Sequence, residues 1–195
     1  MAILDADNRV LSQYHKKVGH NSLGSPTPQT KVITIDAPQL DPVGAALAAH
    51  GTSVKFEHVR VIPLADADEI HYVITTPHDF DGRYRYYLRW QLISNNAAGG
   101  AAITTTVDEL DAGSTQTGSD EAGEPATALD TPIPAITDAE TTADVPFYSD
   151  WGIKIPVESG PDINMIHLKL VASSASGADR LRVMKLQFGY WPLTA

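Results

Sequence analysis

The 195-residue sequence contains no cysteine, which excludes disulfides, thiolate metal sites and thiol nucleophiles. No apolar run approaches the roughly 18 residues of a membrane-spanning helix. The opening MAILDADNRV is charged early, unlike a secretory signal. No Lys or Arg occurs from Trp90 to Ile153. The chain therefore shows no basic stripe of the kind a nucleic-acid binder carries, and an anionic membrane surface is disfavoured for the same reason. There is no GxSxG elbow, and no serine sits visibly against a base and an orienting third group. Glycosidic chemistry needs two carboxylates held at a set separation. The acids here concentrate in a Gly/Ser/Thr-rich stretch, a poor scaffold for rigid positioning. The expectation is a protein that is not an enzyme and needs no cofactor.

Small residues, Thr, 14 Gly and 13 Pro supply much of the sequence, against 19% charged and 7% aromatic residues. That composition suits a β protein with long connections. The length fits a single sandwich, and it is enough to bury a core without staples. The net charge of −10 resides essentially in residues 90–153.

Residues 1–53 read as an extended N-terminal arm. Residues 54–195 read as an all-β antiparallel β-sandwich or jelly roll, with a long acidic loop at 109–146. In the arm, the prolines of LGSPTPQT (23–30) enforce extended backbone. KVITI (31–35) is a β-prone island. DPVGAALAAHG (41–51) predicts a short helical turn with Asp41 as N-cap, Pro42 at the first position and Gly51 as the stop.

Strands are predicted at 55–64, 69–76, 84–94, 101–108, 151–157, 163–172 and 180–190, with an irregular one within 128–137. The clearest is YRYYLRWQLIS. Tyr84, Tyr86, Leu88, Trp90 and Leu92 point one way; Arg85, Tyr87, Arg89 and Gln91 point the other. In the last strand the apolar phase shifts between Val183 and Met184, which predicts a bulge.

Asp79 and Asp81 precede Gly82 in HDFDG, and Asp66, Asp68 and Glu69 lie in DADE. Each group is too small for calcium, so turn chemistry is expected and no metal site. His15 and His20 have no third partner in sequence. His58, His71 and His167 fall at strand positions, as packed or exposed sheet residues. Trp90 and Trp151 lie in apolar phases and are expected in the core. Trp191 is a candidate edge residue, interface anchor or carbohydrate platform, with core or intersubunit packing favoured.

The run EIHYVITTPHDFDGRYRYYLRWQLIS, and the closing INMIHLKLVASSASGADRLRVMKLQFGY, resemble a β-rich domain found in structural proteins of tailed phages. The resemblance is one of strand and turn order over about residues 55–190. It implies a jelly-roll virion surface protein of the capsid decoration (cement) type, on the outer surface of the capsid and assembled as a homotrimer. Its partner would be the major capsid protein, with no nucleic acid or membrane involved. On that view the arm anchors the protein. Tyr14, Lys16 and Lys17 form a basic–aromatic spot, and Val32, Ile33 and Ile35 form a strand that adds to a foreign edge. Tyr87 and Trp191 would then supply trimer contacts. The alternative function is a receptor- or glycan-binding module of a phage tail or head fibre.

Overall fold

A computed structural model describes residues 30–44, 48–49, 59–94, 101–111, 125–137, 141–156, 163–173 and 181–193. The strands in chain order are β1 (Lys31–Asp36), β2 (Asp41–Val43), β3 (Ala48–Ala49), β4 (Arg60–Leu64), β5 (Glu69–Thr75) and β6 (Tyr86–Ser94). They continue with β7 (Ala102–Asp111), β8 (Thr127–Ala128), β9 (Phe147–Tyr148), β10 (Gly152–Lys154), β11 (Ile163–Ser173) and β12 (Leu181–Tyr190). A 3-10 turn at Ala37–Gln39 separates β1 from β2.

Two antiparallel sheets face each other. The seven-stranded sheet runs β10-β6-β12-β4-β3, with β1 also on β12 and β9 also on β6. β1 and β4 share one edge of β12 end to end, since β4 pairs with Leu181–Val183 and β1 with Lys185–Tyr190. The five-stranded sheet runs β2-β5-β11-β7-β8. The fold is a jelly-roll β-sandwich.

Alternating side chains build the core. Tyr86, Leu88, Trp90 and Leu92 of β6 meet Ile166, Leu168 and Leu170 of β11 and Ile70 and Ile74 of β5. Burial of such side chains contributes about 1.5–3 kcal/mol each before entropy is counted. Trp90 is fully buried, and its Nε1–H donates across the sandwich to Thr105 Oγ1 on β7 at 3.1 Å. The predicted bulge is present: the β12–β6 register shifts between Val183 and Lys185.

Three local expectations are corrected. KVITI is not a separate arm: Lys31–Asp36 pairs with β12 of its own sheet, and Ile35 is in the core. The pairing offers six residues a full ladder, which an isolated extended segment lacks. The predicted helical turn at 41–51 is absent where the chain is described, because Asp41–Val43 pairs with β5 and Ala48–Ala49 with β4. The tight turn lies earlier, at Ala37–Gln39, where Pro38 presets φ and the Gln39 side chain accepts from the Asp36 N–H at 3.0 Å. Finally, the described part of the acidic stretch is not merely a surface loop. Leu129, Ile133 and Ile136 enter the core, and Thr131 and Ile136 make backbone bridges to Ile153 and Ala101. Lys154 holds the segment through Asp130 at 3.4 Å.

Candidate ligand-binding face

The outer face of the seven-stranded sheet carries cross-strand rows that follow from register. One row is Thr34, Gln187 and Arg89 on β1, β12 and β6. The next is Asp36, Lys185, Gln91 and Tyr148 on β1, β12, β6 and β9. A third is Val32, Gly189, Tyr87 and Ile153. Residues two apart on a strand share a face, so a single alternation places all of these outward.

The third row is roofed by the chain itself. Tyr87, Ile153 and Trp191 form a second apolar cluster with Tyr84 and Trp151 packed against it. The segment after β12 is pinned there: Asp81 N–H donates to the Trp191 carbonyl at 3.1 Å, and Phe80 bridges Pro192. Tyr87 is fully buried and Trp191 is 6% exposed within one chain. The aromatic on the second face of β6 therefore has an intramolecular cover and does not require a partner subunit. Burial raises the Tyr87 phenol pKa, opposed by Trp191 and Arg85.

Beside this roof lies the half-exposed polar part of the face. The Arg89 guanidinium carbon is 4.1 Å from the centre of the Tyr148 ring and 4.2 Å from that of Trp151. Both rings are within cation–π reach. Arg89 Nε–H donates to Gln187 Oε1 at 2.7 Å, and Gln187 Nε2 donates to Thr34 Oγ1 at 3.3 Å. Burial lowers the Arg89 pKa, with Tyr148 opposing, yet a guanidinium stays charged at any working pH. Tyr148 remains 43% exposed. The arrangement sets one exposed tyrosine, a fixed cation and an amide side by side. Lys185 pairs with Asp36 at 3.1 Å at the border.

Of the carboxylates read as turn residues, Asp81 and Asp68 hold turns, while Asp79 ties distant segments together. Asp81 is buried and accepts from Arg83 Nε at 2.9 Å and Nη2 at 2.8 Å. Asp68 accepts from the Ala65 N–H at 2.7 Å. Asp79 accepts from Lys31 and, at 2.9 Å, from the Tyr190 hydroxyl. The Lys31 ammonium lowers the Asp79 pKa against the opposing effect of burial.

Of the sequence-derived candidates, Tyr14, Lys16 and Lys17, together with His15, His20 and His58, lie outside the described residues. Val32 is exposed, Ile33 is half-buried and Ile35 is buried. Alternation had already put Arg89 on the second face of its strand, but not beside an aromatic. Tyr148 sits in FYSDW, where two strand residues are too few for any period to show.

No protein-family model and no curated protein matches the sequence. Solved structures do match in shape. A family 35 carbohydrate-binding module from Clostridium thermocellum superposes with a TM-score of 0.50 at 8% identity, over 81% of this chain and 97% of that one. The C-terminal CBM6 module of LamC from Zobellia galactanivorans gives 0.47 at 10% identity, over 81% and 98%. At these identities the likeness is one of fold.

Proposed function

We propose that this protein is a glycan-binding module whose contact surface is the exposed part of the seven-stranded sheet's outer face. The observation that carries the reading is the Tyr148–Arg89–Trp151 group beside Gln187. A pyranose presents an apolar C–H face and an equatorial rim of hydroxyls. The first packs on an aromatic ring; the second needs planar donors and acceptors at fixed spacing. Arg89 is already held by two rings and an amide, so little side-chain entropy is lost on binding. The sandwich resembles carbohydrate-binding modules in fold, which suggests the ligand class to test, while the residues supply the argument.

Clamping of capsid subunits gains less support. The strand assigned to add onto a foreign edge is already paired at home, and both residues assigned to trimer contacts are covered within one chain.

The test is affinity electrophoresis through gels containing a panel of soluble polysaccharides. At least one glycan should retard the protein. Tyr148→Ala should abolish the retardation while leaving the melting temperature within a few degrees, because Tyr148 is an exposed side chain on a two-residue strand. Retardation that persists in Tyr148→Ala, or none across the panel, overturns the reading.

A further inference from the structure

The opposite sheet carries an independent cluster. Along β5, Ile70 and Ile74 face the core and Glu69 and His71 face out; along β11, Ile166, Leu168 and Leu170 face in and His167 and Lys169 face out. Lys169 is directly opposite His71, which places His167 on the diagonal. His71 Nδ1 lies 3.4 Å from His167 Nε2, with the rings tilted at 44°. Glu69 Oε2 lies 3.1 Å from His71 Nε2, and Lys169 Nζ lies 3.9 Å from the other oxygen of Glu69.

The Glu69 carboxylate selects the tautomer with a proton on His71 Nε2. The lone pair of His71 is then on Nδ1, the nitrogen that lies 3.4 Å from His167 Nε2. Two imidazole nitrogens, each about 2.0–2.1 Å from a tetrahedral ion, are separated by about 3.3–3.4 Å. The observed separation matches that tetrahedral edge and lies at the long end of hydrogen-bond distances. Register also places Asp41 of β2 opposite His71 and Asp108 of β7 opposite His167. Glu69 thus contacts the pair, and Asp41 and Asp108 occupy the strand positions facing it, against the ammonium of Lys169 among the described residues, and this balance of charge favours a cation.

We propose that His71 Nδ1 and His167 Nε2 bind one divalent transition-metal ion of the borderline class, such as Zn²⁺, Ni²⁺ or Cu²⁺. Imidazole suits these ions, whereas Mg²⁺ and Ca²⁺ prefer oxygen donors. Among the described residues no three His, Asp or Glu side chains converge as a metal site, so water completes the coordination shell. Glu69 acts as a positioning residue, holding the His71 ring and its tautomer. The site lies on the five-stranded sheet, away from the proposed glycan face, and stands or falls separately from it.

Calorimetric titration of the metal-free 195-residue chain with Zn²⁺ tests this. One ion per chain is expected, undisturbed by excess Ca²⁺ or Mg²⁺ and weakened on acidification, because protons compete for the same lone pairs. His71→Gln and His167→Gln should each remove the binding, with little further loss in the double variant. Glu69→Gln should weaken it roughly tenfold. Circular dichroism checks that each variant is folded. Should a variant fail to fold, long-range ¹H–¹⁵N spectra of the wild type decide: Zn²⁺ should shift Nδ1 of one ring and Nε2 of another. Unchanged binding in both single variants, or ring nitrogens unmoved by stoichiometric Zn²⁺, overturns the proposal.

Discussion

Replacing Thr105 by Val tests how the two sheets are locked together. The Trp90 indole N–H donates to Thr105 Oγ1 at 3.1 Å, and both residues are buried, at 0% and 5% exposure. Valine keeps the shape and removes the acceptor. Water cannot reach the indole, so the donor is left unpaired at a cost of about 1–3 kcal/mol. The added buried methyl offsets up to about 0.8 kcal/mol. The net loss is about 1–2 kcal/mol, a melting temperature lower by roughly 3–6 °C for a chain of this size. Thr105→Val, Trp90→Phe and the double variant form a cycle, read by urea or thermal unfolding. The double variant should be more stable than the sum of single losses predicts, since Trp90→Phe removes the stranded donor. A Thr105→Val protein as stable as the wild type, or single losses that add within about 0.5 kcal/mol, would refute the inter-sheet bond.

Gly152→Ala should destabilise by about 1–3 kcal/mol, because the new Cβ would lie 2.5 Å from Leu129 Cδ1 and 2.9 Å from Ile133 Cγ1; thermal unfolding reads it, and an unchanged midpoint contradicts the packing of 125–137 on β10. Stability should fall as pH rises above 10, because burial, with a hydrogen bond to Asp79, pushes the Tyr190 pKa up to about 12. A phenol with a raised folded pKa contributes fully below its usual value and loses that contribution as pH rises; burial puts Tyr86 well above its usual value too. Denaturant midpoints at pH 9 and 11 check this. Asp79→Asn should cost about 1 kcal/mol or less at neutral pH, since Lys31 is largely exposed. The wild-type carboxylate, its pKa lowered by Lys31, contributes above pH 3.8 and loses that contribution as pH falls through the folded value, so the two proteins should converge in acid.

Periodicity made most of the sandwich legible. The alternation in 84–94 placed Leu88, Trp90 and Leu92 inward, and the phase slip at Val183–Met184 marked a real bulge. Asp81 beside Gly82 and Asp68 in DADE were correctly read as turn residues, because a short acid next to a turn bonds its own backbone, whereas Asp79 and Glu69 instead bond side chains of other strands or of their own strand. Alternation reports which face is buried, but not what buries it. Tyr87 looked like a residue awaiting a partner, and only the chain path shows Trp191 folding back over it. KVITI had the composition of a docking strand; whether its partner is foreign or its own β12 depends on an edge far away in sequence, at Lys185–Tyr190. The stretch 128–137 was legible as one irregular strand, but that Leu129, Ile133 and Ile136 enter the core was not, since three anchors without a period do not say which face is buried. Arg89 with Tyr148, and His71 with His167, are pairs set by strand order and register. Each residue by itself is an ordinary strand position; the chemistry exists only once the sheet brings two distant stretches within a few ångströms.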